Sequence, residues 1–168
     1  GNVIFFLIGV GLLRRMGHTS GTSRTGLGEA VAAFFGKGGG SGIRTVASFD
    51  EDTTSMGAEA ARAAVASAPD VGIAALWFAT ASPAYLEKTN ASAIHATLRL
   101  DASVPAFDFG GAHRSGIGAL CTALGAGSTT LVVASDSRDG LATSADESQG
   151  GDGAAALVIG DDTAGPVI

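Results

Sequence analysis

Ala106-Phe107-Asp108-Phe109-Gly110-Gly111-Ala112-His113-Arg114-Ser115-Gly116 carries most of what this chain discloses about its fold. Residues 106–109 predict a short strand, and small and apolar residues over 115–124 predict a helix. Between them Gly110 and Gly111 let the chain turn sharply. That spacing puts His113 near the first turn of the helix. Elbows of this kind expose one side chain to a pocket and surround it with unpaired N–H groups. Such groups hold a carbonyl oxygen or a developing oxyanion. Taken alone, His113 has two readings, a structural histidine at a glycine turn or the reactive group of a site.

Outward from the elbow, strands and helices alternate. The clearest strand is 129–135 (TTLVVAS), with others over 72–80 and 154–159 and an edge at Val167. Residues 3–10 are continuously apolar, as in a strand covered on both faces. Asp50-Glu51-Asp52-Thr53 supplies acidic and capping residues for a helix that runs to about Ala68 and stops before Pro69. Residues 85–98 have helical character, and 29–35 could form a short helix before a glycine run. The expectation is an α/β fold with a mainly parallel central sheet flanked by helices. No repeat or linker divides the chain, so residues 1–168 are taken as one domain. The ending Gly165-Pro166-Val167-Ile168 is expected to continue into a longer parent.

Composition narrows the function classes. Hydrophobic residues make up 46% of the 168 and charged residues 15%, too apolar a balance for a disordered chain. A net charge of −6 with no basic stripe argues against nucleic acid. The lone Cys121 excludes an internal disulfide and a cysteine-based metal site, consistent with a cytoplasmic protein. The apolar opening 3–13 is about half of what a membrane-spanning helix needs. Its basic residues, Arg14 and Arg15, follow the apolar stretch, whereas in a secretory signal they precede it. A buried first strand, and no membrane, is expected.

Several tempting features carry less. The run 36–42 (GKGGGSG) lacks the spacing and the Lys-Ser/Thr pair of a phosphate loop and reads as a turn. Cys121 lies about two helical turns, roughly 12 Å, beyond the elbow. It is expected to be a buried small hydrophobe. His95 reads as a packing or surface residue. His18 has no ligand spacing to another histidine, and no metal site is expected. Asp146-Glu147 reads as a solvated acidic loop or a partner contact.

Residues 107–120 resemble the nucleophile segment of the thiolase superfamily, especially its HMG-CoA synthase-like and ketoacyl synthase III-like members. Three further blocks fit in order: Asp50-Glu51-Asp52-Thr53-Thr54-Ser55-Met56-Gly57, Glu87-Lys88-Thr89-Asn90-Ala91, and Gly150-Gly151-Asp152-Gly153-Ala154-Ala155-Ala156-Leu157. The similarity spans about 43–162 and corresponds to the N-terminal half of that fold. It implies an acyltransferase-type protein of lipid metabolism with a coenzyme A thioester as substrate and no bound cofactor. Gly110, Gly111, Arg114, Ser115 and Gly116 are the implied substrate-binding residues. His113 stands where the family keeps its acyl-accepting cysteine, and Ala81 where HMG-CoA synthases keep a catalytic glutamate.

With both groups replaced, a stable acyl-enzyme is not expected. A histidine at a helix N-terminus is disfavoured as imidazolium by the helix dipole. A neutral ring polarises a carbonyl or accepts a proton, which leaves aldol, retro-aldol or enolate chemistry on an acyl-CoA. Tyr85, Glu87 and Lys88 are either helpers at the same pocket or surface residues. The resemblance also implies that a second half supplies the rest of the site, and that the chain is a homo- or hetero-oligomer. Residues 129–135 are the expected dimer strand, and a zinc-ribbon/OB-fold protein is an expected companion. The alternative is a non-catalytic scaffold subunit of a larger acyl-CoA complex.

Overall fold

The computed structural model describes residues 45–138, 141, 144 and 150–160. The expected strand at 3–10, the helix at 29–35, the glycine run, His18, Asp146-Glu147 and Val167 lie outside them. The described elements are α1 (Thr53–Ser67), β1 (Ala75–Thr80), α2 (Asn90–Leu98), β2 (Ala106–Gly110), α3 (Ser115–Gly125), β3 (Thr130–Asp136) and β4 (Gly153–Ile159).

Helix α1 starts where its acidic opening predicts. Asp52 is the N-cap: its Oδ1 accepts the Ser55 N–H at 2.7 Å, while Ser55 Oγ accepts the Asp52 N–H at 2.8 Å. Two orphan donors are thereby satisfied reciprocally. The helix ends at Ser67, with Ala68 as its C-cap before Pro69.

The expected helix over 85–98 is shorter and begins at Asn90. The Asn90 side chain accepts the Tyr85 N–H and donates to the Tyr85 carbonyl, both at 2.9 Å, so residues 85–89 fold into a turn around that amide. At the other end, Arg99 takes the left-handed conformation (φ 54°) and terminates the helix. His95 Nε2 lies 3.1 Å from the Asp101 carbonyl in the turn that follows. The Ser103 hydroxyl and N–H both donate to Asp101 and hold its carboxyl below the usual range.

The four strands run β2-β1-β3-β4, with β1 parallel to β2 and β3, and β4 antiparallel to β3. Strand alternation sorts the core onto two faces. Leu76, Phe78, Leu131, Val133 and Val158 face α1 and α2, where Ala60, Ala61, Ala64 and Ile94 pack. Val132, Ala79 and Ile159 face the Ala119 and Ala123 stripe of α3. With α2 and α3 on opposite faces, the chain is wound in both directions from β1, as right-handed crossovers require.

β3 is central, and the helix after His113 packs on it, as expected. The dimer role expected for 129–135 does not fit. β3 is hydrogen-bonded to β1 on one side and β4 on the other, so it has no free edge to offer another chain. Among the described strands, β2 is the one followed directly by the elbow and paired on one side only.

Candidate functional site

Three loops leave the carboxyl ends of β2, β1 and β3, which neighbour one another in that order. Ligands of open α/β sheets sit at such ends.

The β2 loop is the elbow. Gly111 adopts φ +89°, and a side chain there would meet nothing within 4 Å, so conformation and not space selects glycine. The Ser115 N–H donates to the Ala112 carbonyl at 3.0 Å and Ser115 Oγ to the Gly110 carbonyl at 3.1 Å, which closes the turn. Arg114 is the N-cap of α3 and makes no side-chain cap bond. His113 sits exposed immediately before it. Its Nδ1 lies 3.3 Å from Nη2 of Arg138.

The β3 loop holds Arg138 by its backbone. The Arg138 N–H donates to Asp152 Oδ1 at 2.7 Å. The other oxygen of that buried carboxylate accepts the Ala47 N–H, also at 2.7 Å. One residue earlier, Ser82 Oγ accepts the Ser137 N–H and donates to the Ser137 carbonyl, both at 3.2 Å. Asp136 Oδ1 accepts the Ala81 N–H at 2.6 Å and the Thr80 hydroxyl at 3.1 Å. Residues 136–138 are thus fastened at three successive positions. Arg138 escaped sequence reading, although its place just past a parallel strand was a usable signal.

The β1 loop begins with the half-buried Ala81 and Ser82 and lies between the other two. Position 81 carries no acid, but the Asp136 carboxylate bonds to its N–H. Farther along, Tyr85, Glu87 and Lys88 are exposed. Lys88 Nζ stands 3.6 Å over the Tyr85 ring. No hydrogen bond or ring contact joins these three to His113 among the described residues. Gly110, Gly111, Arg114, Ser115 and Gly116 all belong to the elbow and the first turn of α3, so they do share one neighbourhood with His113.

Cys121 is exposed, contrary to the expected burial. Ala119 and Ala123 face the sheet, and Cys121, two residues from each, is about 200° around the helix from both. Among the described residues no group of three or more His, Cys, Asp or Glu could hold a metal ion. Among the same residues no helix is long and apolar enough to cross a membrane.

No family model matches the chain, and no curated protein matches it. Solved structures do. A 3-oxoacyl-(acyl-carrier-protein) synthase III superposes with a TM-score of 0.61 at 24% identity, over 71% of this chain and 38% of that one. PksG, an HMG-CoA synthase from Bacillus subtilis, gives 0.63 at 27% identity over 71% and 31%. An HMG-CoA synthase complexed with CoA gives 0.64 at 24% identity over 70% and 31%. The matched region therefore spans about a third of those proteins.

Proposed function

We propose that this chain, which has the thiolase fold, handles acyl-CoA in carbon–carbon bond formation or cleavage without an acyl-enzyme. The observation that supports this most is an imidazole, not a thiol, at the elbow, immediately before the first turn of α3, whose N-cap Arg114 makes no side-chain cap bond. In the cleavage direction, a base takes the proton of a β-hydroxyacyl thioester's hydroxyl. The Cα–Cβ bond then breaks, and its electron pair moves into the thioester as an enolate. The β-carbon departs as a carbonyl compound, and a proton returns to Cα. No co-reactant is required, and condensation is the reverse. The elbow's part is to stabilise the enolate oxygen through the ring and the Gly116 and Ile117 N–H groups of the first turn of α3, since those of Ser115 and Gly118 donate to the Ala112 and Arg114 carbonyls. The remaining groups come from a second thiolase-like half, in the same or another chain, and the chain works in the cytoplasm as part of an oligomer. A zinc-ribbon/OB-fold companion delivering acyl-CoA belongs to the same proposal. Calorimetric titration with acetyl-CoA tests it: wild type should bind with a measurable heat. No binding in the fully assembled protein would end the proposal.

A second reading, a non-catalytic scaffold, is favoured by one feature. Ile117 is 62% exposed on α3 and Phe107 is 57% exposed on β2, apolar surface suited to a partner. A scaffold would co-purify with a complete thiolase-like chain and turn over no CoA ester alone.

A further inference from the structure

We infer that Arg138 is a positioning residue that fixes the ring of His113 as a hydrogen-bond donor, so that His113 acts on a thioester carbonyl as an electrophile and not as a base. This deepens the acyl-CoA proposal and rests on it for the substrate, but the ring state itself does not. A guanidinium has five N–H donors, no acceptor, and no neutral form in proteins. In a contact between Arg138 Nη2 and His113 Nδ1 at 3.3 Å, only the arginine can donate. Nδ1 must therefore supply its lone pair, and a neutral ring then carries its proton on Nε2. Both ring nitrogens are accounted for: one lone pair is engaged and the other nitrogen bears hydrogen. The ring keeps a single outward function, an Nε2–H donor, matched to a carbonyl or enolate oxygen.

The surroundings explain why a contact between an exposed imidazole and a half-buried arginine holds its place. Arg138 is tied through its backbone to the buried Asp152, and Ser137 and Asp136 are tied to Ser82, Ala81 and Thr80. The elbow is fixed on its side by Gly111 and by the Ser115 bonds. β1 lies between the two loops and is followed by the small residues Ala81 and Ser82, which leave room beside the Arg138–His113 contact. The group that carries a proton from the substrate must then be something other than His113.

The test needs no acyl-CoA, so it can fail or succeed independently of the acyl-CoA proposal. Diethyl pyrocarbonate attacks an imidazole lone pair, and mass spectrometry of the intact 168-residue chain followed by peptide mapping reads the rate at His113. Arg138→Met should raise that rate by about tenfold, the factor that a hydrogen bond from a charged donor supplies. The Asp152 anchor survives this substitution because it goes to the backbone N–H. Long-range proton–nitrogen NMR of the wild-type ring gives a second readout, with hydrogen expected on Nε2 and none on Nδ1. Equal modification rates in wild type and Arg138→Met, or a proton on Nδ1, would overturn the assignment.

Discussion

Asp108 Oδ2 accepts the backbone N–H of Asn90 at 2.7 Å, so a strand residue closes the amino end of a helix that precedes it in the chain. Its other oxygen takes the Ala91 N–H, also at 2.7 Å, and Thr89, the local N-cap, makes no side-chain cap bond. The aspartate of the elbow segment is therefore spent on capping α2, where the helix dipole favours a negative charge. It also holds Asn90, whose amide shapes the turn at 85–89.

Asp108→Ala should lower unfolding stability by about 1–2 kcal/mol, the scale of a lost N-cap. Urea denaturation followed by circular dichroism measures this. A change within error would mean that water serves the α2 end equally well.

How far the fold was legible can be judged from α1 and α2. The Asp50–Thr53 capping signal and Pro69 bound α1 locally, and its observed limits follow them. The start of α2 was not legible, because its cap comes from Asp108 and its turn from a side chain folding back. The run 129–135 (TTLVVAS) predicted β3, but only pairing could reveal that both its edges are used. At the site, the glycines and His113 were visible as one segment. Arg138 was not, because it meets His113 only when strands β2 and β3 are set on either side of β1.

Gly57 predicts a packing limit. A Cβ at this position would stand 3.0 Å from Phe78 Cε2, 3.2 Å from Ile94 Cδ1 and 3.3 Å from Val133 Cγ1. Those three side chains are fully buried and have no room to retreat. Gly57→Val should destabilise by about 1–3 kcal/mol, as overpacking does. A thermal melt no lower than wild type would show that α1 can lift from the sheet at little cost.

Cys121 predicts a chemical contrast. Being exposed, it should be alkylated by iodoacetamide in the native chain. Acetyl-CoA should nonetheless leave no stable acetyl group on it, since it lies about two helical turns beyond the elbow. Intact-mass spectrometry distinguishes the two. Rapid stoichiometric acetylation at Cys121 would mean that the reactive centre had been misplaced.

His113 itself gives the most decisive pair of variants. In the assembled protein, with any second half and companion present, His113→Ala should reduce CoA-ester turnover by roughly 10²–10³-fold, the range for the loss of one positioned donor to a developing oxyanion. Full activity in that variant would leave the elbow without a chemical role and favour the scaffold. His113→Cys asks the complementary question. A thiol there would sit beside a helix amino end and within reach of the Arg138 loop, both of which favour the thiolate. It should therefore accept an acetyl group, visible as a mass increase on the peptide that contains residue 113. Position 81 still has no acid, and Asp136 nearby is engaged with the Ala81 N–H and the Thr80 hydroxyl. The acylated variant should consequently stall before condensation of the HMG-CoA type. If it completes that condensation, the acid at position 81 is dispensable, and this chain lies one substitution from conventional synthase chemistry.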